Sequence, residues 1–262
     1  MDAFTALKDY YENYDEENRL RSRHGMVEYL TTMRYIEKYL RPGMRIMEIG
    51  AGTGRYTHTL ASMGYEIDAV ELIEHNIHIL RQGMQPGARI NVTQGNAVNL
   101  SGFTDNTYDI TLLMGPMYHL FTVEEQKKAL SEAIRVTKPG GVVFVAYCGN
   151  DATMVQFCFG KGMILDEHYS ALVDPVTFKA SSDPSDLFVL YRKEDIDALM
   201  EGFDTERLHY VGVDMATNYM RDAIDAMSDR LFEIYLRYHF SICERQDMVG
   251  ATHHILDVFR KL

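Results

Sequence analysis

The 262-residue sequence predicts an α/β chain, a doubly wound, mostly parallel sheet of seven strands with helices on both faces. Three observations carry that prediction. Short apolar runs alternate with segments whose apolar residues recur every three to four positions. A glycine-rich turn, Gly50-Ala51-Gly52-Thr53-Gly54, lies where the first run meets the next helical segment. Residues 142–148 are continuously apolar, as a central strand covered on both faces requires.

The elements follow in order. Residues 1–40 read as a helical amino-terminal cover, with Met26, Leu30, Met33, Ile36 and Leu40 forming one apolar stripe. Arg41-Pro42-Gly43 stops it. Residues 44–49, 65–72, 88–94 and 108–114 read as the first four strands, with helices over 56–63 and 73–81 between them. Thr122-Val-Glu-Glu125 has the form of a capping box, because the hydroxyl and the carboxylate can each bond the other's backbone amide. The helix it opens runs to about Val136, and Lys138-Pro-Gly-Gly141 ends it before the fifth strand at 142–148. Residues 150–190 look irregular, 193–200 helical, 206–214 a strand, 217–245 one or two helices, and 254–260 a final strand. The core is expected at 41–150, with 150–190 and 215–250 as insertions covering a substrate, all within one domain.

Charge and composition bound the partners. Lys and Arg number 26 against 38 Asp and Glu, a net charge of −12. Binding to a phosphate backbone is driven by Lys and Arg, so this balance argues against nucleic acid. Hydrophobic content of 46% with 24% charged residues is ordinary for a globular chain. Cys148, Cys158 and Cys243 are odd in number and widely spaced, which fits neither a disulfide framework nor a zinc knuckle. No secretion signal opens the sequence, and the longest apolar run is far shorter than the roughly 20 residues that span a bilayer. The expectation is a cytoplasmic protein with no membrane partner.

The densest signal is the turn and its flanking acids. Glycines there let the backbone turn tightly and let a ligand approach it. Glu71 ends the second strand, 71 − 54 = 17 residues beyond Gly54, where a carboxylate can accept both hydroxyls of a ribose. The spacing Gly-x-Gly-x-Gly departs from the dinucleotide pattern. Glu48, just before the turn, would repel a pyrophosphate but suits an ammonium or a sulfonium.

With these residues the chain resembles the class I S-adenosylmethionine-dependent methyltransferases, of the small-molecule type. Glu48-Ile-Gly-Ala-Gly-Thr-Gly54 is similar to their first motif and Glu71 to their ribose acid. Gly95-Asn96-Ala97, Tyr108-Asp109 with the following strand, and Ala133 to Gly141 match later motifs in the expected order. The resemblance is close over about residues 40–150 and looser beyond. It implies a Rossmann-like sheet and S-adenosylmethionine as cofactor. It implies that Glu48, Gly50, Ala51, Gly52 and Gly54 face the methionine part, Glu71 the ribose, and Leu72, Asn96 and Ala97 the adenine. Met114 would line the cofactor beside the methyl group, and Tyr14 would reach the cofactor carboxylate from a leading segment.

Methyl transfer from a sulfonium is an in-line displacement that needs alignment, exclusion of water and, for a protonated nucleophile, a base. Gly115-Pro-Met-Tyr118-His119-Leu follows the fourth strand, so His119 is the candidate base and Tyr118 a candidate orienting group. Arg19, Arg21 and Arg23 are read first as partners of the preceding acids. No metal is expected: His75 and His78 lack a third ligand, and His253 and His254, adjacent on a strand, would point to opposite faces. Tyr235, Tyr238, His239 and Phe240 are read mainly as packing. The leading expectation is methyl transfer to a small-molecule acceptor. Methylation of a protein or RNA and non-catalytic cofactor binding remain as alternatives.

Overall fold

The computed structural model describes residues 3–262. Three helices lead: α1 (Ala3–Asn13), α2 (Glu16–Arg19) and α3 (Arg23–Tyr39). β1 (Arg45–Ile49), α4 (Arg55–Ser62), β2 (Glu66–Glu71), α5 (Glu74–Gln82), β3 (Ile90–Gln94) and β4 (Tyr108–Leu113) then alternate. α6 (Val123–Val136) leads into β5 (Thr137–Gly149), the longest strand. α7 (Asn150–Thr153), α8 (Glu167–Leu172), β6 (Leu190–Tyr191), α9 (Lys193–Met200) and β7 (Thr205–Gly212) follow. α10 (Arg221–Asp225), α11 (Asp229–Ile242) and β8 (His254–Lys261) complete the chain.

The strands form one sheet in the order β3-β2-β1-β4-β5-β8-β7, with β6 paired to the end of β5. β1 lies parallel to both β2 and β4, Glu48 pairing with Ala69 on one side and Leu112 on the other. β8 runs antiparallel between β5 and β7. The chain winds outward from β1 to β3, then crosses back to β4, so the order reverses between β1 and β4. Loops at the carboxyl ends of those strands diverge there and leave a crevice.

Alternate residues of the parallel strands feed two cores. Met47, Ile49, Leu113, Val143 and Val145 pack with Ala129, Leu130 and Ala133 of α6. Ile46, Ile110, Leu112, Val142 and Phe144 pack with Met33, Ile36 and Leu40, the stripe of the amino-terminal helix. The central strands are therefore buried on both faces, which is why 142–148 carries no polar alternation. The capping box is present: Thr122 Oγ1 accepts from the Glu125 amide at 3.2 Å, and Glu125 accepts from the Thr122 amide at 3.3 Å.

Two expectations are corrected. The end of the 150–190 segment runs into a short eighth strand, β6, whose Leu190 and Tyr191 pair with Cys148 and Gly149. The fifth strand begins at Thr137 rather than 142, because Thr137 already pairs with Tyr108 across a shift in register. Among the described residues, no helix is long and apolar enough to cross a membrane.

Candidate active site

The glycine turn is fixed from three sides. The amides of Gly50 and Ala51 both donate to the Val70 carbonyl, at 2.8 and 3.1 Å. Gly50 holds a φ of +81°, and a Cβ there would meet the Met114 carbonyl oxygen and the Pro116 ring at 2.5 Å. The turn after β1 is thus pressed against the turn after β4, and only glycine fits. The Gly52 amide donates to Glu71 at 2.8 Å, so the acid at the end of β2 braces the turn as well as facing the crevice.

Both acids are buried. Burial pushes the Glu48 carboxyl up to about 8, against a bond from the Thr57 hydroxyl that favours the charged form. Burial also raises Glu71, against bonds from the amides of Ile73 (2.9 Å) and Gly52 and from the Asn76 side chain. A cationic ligand end beside Glu48 would restore the charge that burial disfavours.

A cavity of about 290 Å³ opens at this crevice, lined by Glu48, Gly50, Gly52, Glu71, Leu72, Asn96, Ala97 and Met114. Around Gly52 a side chain would find nothing nearer than Glu16 Cγ at 3.9 Å, so its bare α-carbon leaves the turn open. Ala51 and Gly54 stand behind the turn. Ala51 packs on Ala69 and Leu80, and Gly54 precedes α4 in the left-handed conformation.

A second, larger cavity of about 670 Å³ adjoins the first. Its apolar wall includes Tyr10, Phe157, Met163, Leu172, Val173 and Phe188, and most of it comes from residues 10–28 and 148–190. Of the segment 215–250, only Thr217, Asn218 and Arg221 reach it. α11 instead packs through Phe232 against Val27 of α3. Among the described residues, six line both cavities: Tyr11, Glu16, Arg19, Glu28, Tyr118 and His254.

A charged network crosses that shared wall. Arg19 grips Glu28 with two bonds of 2.8 and 3.1 Å and Glu16 with one of 3.1 Å. His254 Nδ1 lies 2.7 Å from Asp214 and 3.4 Å from Glu28. Burial alone would lower the pKa of His254, but the carboxylates of Glu28 and Asp214 outweigh it and hold the imidazole well above its ordinary value. Arg21 pairs with Glu17 and Arg23 with Asp229, so all three arginines of the cluster are bound to acids.

Several predicted residues take places the sequence did not indicate. His119 lines the smaller cavity, with both ring nitrogens engaged. Nδ1 lies 2.8 Å from the Leu187 carbonyl, so Nδ1–H is the donor, and Nε2 accepts from Tyr11 at 3.0 Å. Burial, opposed by the Leu187 bond, pushes His119 down to about 4. It stands as a neutral brace between α1 and the loop before β6, not as a free base. Tyr118 lies on the shared wall, its phenol raised well above 10 by burial. Tyr14 stacks on Tyr10 and lines the larger cavity, not the smaller one; Tyr11 takes the position facing both. The expected opposition of His253 and His254 is also corrected. β8 begins at His254, so His253 is outside the strand, and both line the larger cavity. Tyr11, Glu28, Asp214 and His254 carry no local motif, and nothing in their spacing marks them as neighbours.

Residues 46–141 match a protein family described as methyltransferase domain. A demethylmenaquinone methyltransferase of Renibacterium salmoninarum is 32% identical over 55% of this chain and 56% of its own length. A ubiquinone biosynthesis O-methyltransferase of Hahella chejuensis is 22% identical over 74% of this chain and 81% of its own. This chain spans about half or less of the first curated relatives it matches. Among solved structures, magnesium protoporphyrin IX methyltransferase from Synechocystis, with bound SAH, shares the fold. Its TM-score is 0.61 at 12% identity, over all of both chains.

Proposed function

We propose that this chain, whose residues 46–141 match a methyltransferase domain, transfers a methyl group from S-adenosylmethionine to a small-molecule acceptor. One observation carries the reading. A cavity bounded by the glycine turn and two buried acids shares a wall with a larger, mostly apolar cavity. Donor and acceptor chambers joined at one wall are what an in-line transfer requires.

The smaller cavity fits the cofactor by its chemistry. Glu48 would meet the ammonium, Glu71 the ribose hydroxyls, and Leu72, Asn96 and Ala97 the adenine, with Gly52 leaving room at the turn. When bound, the cofactor supplies a sulfonium methyl whose leaving group departs neutral, so no acid is needed. The protein's part is to align the partners and exclude water. Tyr11 and Tyr118 stand on the shared wall, where they flank the path between the chambers. His119 fixes Tyr11. Glu16 and Glu28 face the same wall and complement a sulfonium charge.

The acceptor is a compact molecule with an apolar, ring-bearing body. Phe157, Met163, Val173 and Phe188 support that reading, as do relatives named for demethylmenaquinone and ubiquinone biosynthesis. Residues 1–40 and 150–190 act as its cover, and the start of 215–250 closes one side.

The test is calorimetric titration with S-adenosylmethionine and its demethylated product, followed by incubation with methyl-labelled cofactor and 1,4-naphthalenediol. Saturable binding of both nucleosides and label in the diol are expected. Absence of binding by either nucleoside removes the proposal.

A further inference from the structure

Among the described residues, two basic side chains line both cavities, Arg19 and His254. In Arg19 every side-chain nitrogen already donates to a carboxylate, Nε to Glu16 and both terminal nitrogens to Glu28. His254 is different. Its Nδ1 bonds Asp214 at 2.7 Å and stands 3.4 Å from Glu28. Its Nε2 has no oxygen or nitrogen partner among the described residues. Beside the ring is the thiol of Cys148, a weak acceptor that faces His254 across β5 and β8. We propose that His254 selects the acceptor: its Nε2–H takes an acidic oxygen, that of a phenol or enol bound as its anion, and holds it at the wall shared with the cofactor.

The surroundings make the ring a cation. Asp214 accepts from the amides of His253 and His254 at 3.0 and 3.1 Å, from the Thr252 hydroxyl at 2.7 Å and from Asn218 at 2.7 Å. Burial would raise Asp214, but His254, His253 and the Thr252 hydroxyl hold it below the ordinary carboxylate range. Burial would raise Glu28 as well, and Arg19 outweighs it. Two ionised carboxylates on the Nδ1 edge keep both ring nitrogens protonated, so Nε2 is a donor.

The charges at this wall then balance, with Glu16, Glu28 and Asp214 against Arg19, His254 and Arg221. His253 adds none, since burial and the neighbouring His254 keep it neutral. A sulfonium in the smaller cavity brings one further positive charge. An acceptor oxygen that has lost its proton cancels it, and a neutral ether does not. Arg221 reaches only the larger cavity and is bonded to Asn218, so His254 is the cation placed to meet that oxygen beside the cofactor.

This role rests on the methyl-transfer reading. A cationic donor favours the anion of a hydroxyl, so the acceptor's proton leaves to solvent before transfer. The oxyanion, or a ring carbon conjugated with it, then forms a bond to the methyl carbon as the carbon–sulfur bond breaks and sulfur keeps the electron pair. His254 keeps its protons throughout. No general base is needed, in keeping with His119 being occupied by Tyr11 and Leu187.

The assignment is tested on the full chain with 4-nitro-1-naphthol, whose anion is coloured, and with its methyl ether as the neutral match. The wild-type protein should bind the anion at least about tenfold more tightly than the ether, and should lower the pH at which the bound naphthol ionises by about 1 or more. His254→Asn keeps a donor for Asp214 but removes Nε2–H and the charge, so it should abolish both effects. Arg221→Gln should keep most of both. Melting followed by circular dichroism reports whether each variant folds, and His254→Gln takes the place of His254→Asn if that variant does not. Equal wild-type affinity for anion and ether overturns the assignment, whatever the variants do. So does an undiminished preference in the His254 variant, or a loss as large in Arg221→Gln. A His254 variant that weakens S-adenosylmethionine while leaving the naphthol untouched also overturns it, by giving the ring to the cofactor carboxylate. Cofactor binding and methyl transfer without any preference for the anion remove only this role of His254. The preference without S-adenosylmethionine binding leaves His254 as an anion site and removes only the methyl-transfer reading.

Discussion

The two cavities are built in different ways. The smaller one has its floor at the ends of β1, β2 and β4, in the glycine turn and two acids whose positions follow from the strands that carry them, with α1, α2 and α3 closing it over through Tyr11, Glu16 and Glu28. The larger one is made from side chains on α1, α2, the 150–190 segment and the start of β8, elements far apart in the chain. The first depends on backbone shape, so it tolerates little change. The second depends on which side chains meet, so it can be refitted to a new acceptor while the sheet stays as it is.

The comparison breaks first at Gly50. Gly50→Val puts a branched side chain at a φ of +81° against backbone 2.5 Å away. Strain of about 1–3 kcal/mol at one such residue, before any movement of the turn, should lower cofactor affinity more than any change in the larger cavity. Calorimetry showing normal binding would mean that the turn does not shape the site. Glu71→Ala comes next, with an expected loss of roughly 1–3 kcal/mol in cofactor binding. An unchanged dissociation constant would take Glu71 out of the site.

A smaller effect lies in pH. Glu48 is raised to about 8, so below that pH it holds a proton in the free protein. An ammonium beside it favours the ionised form, so binding must expel that proton. Affinity should therefore rise with pH toward about 8, by at most about tenfold per unit, and fall again as the ligand's own ammonium loses its proton. Calorimetry in buffers of different ionisation enthalpy should show proton release, and Glu48→Gln should abolish it. Proton uptake would contradict the placement.

The smallest expected effect on the cofactor comes from the larger cavity. Phe157 lines that cavity alone. Phe157→Ala should leave cofactor affinity within about twofold while weakening the acceptor, since the lost burial is on the acceptor side. A large loss of cofactor affinity would show that the chambers are not separable.

The core was legible because its signals are local. The sheet from β1 to β5, the capping box at Thr122 and the crevice residues from Glu48 to Met114 all lie in or beside consecutive elements. Each has a spacing that a strand, turn or helix imposes. His119 was legible as a residue near the site but not as a brace, because its partners Tyr11 and Leu187 are 108 and 68 residues away. Tyr11 lies in α1 and Tyr14 just past its end, on the same acidic segment, and only the packing of α1 shows which of them faces the smaller cavity.

Length, charge and pattern by themselves determined the sheet, the glycine turn and its acids, since strand and helix periods act over a few residues. Only the tertiary structure decided the larger cavity and the Glu28, Asp214 and His254 cluster. Those residues meet through the return of the chain as β8 beside β5, a contact that depends on the whole sheet being assembled. No short-range rule of propensity or spacing encodes such a meeting.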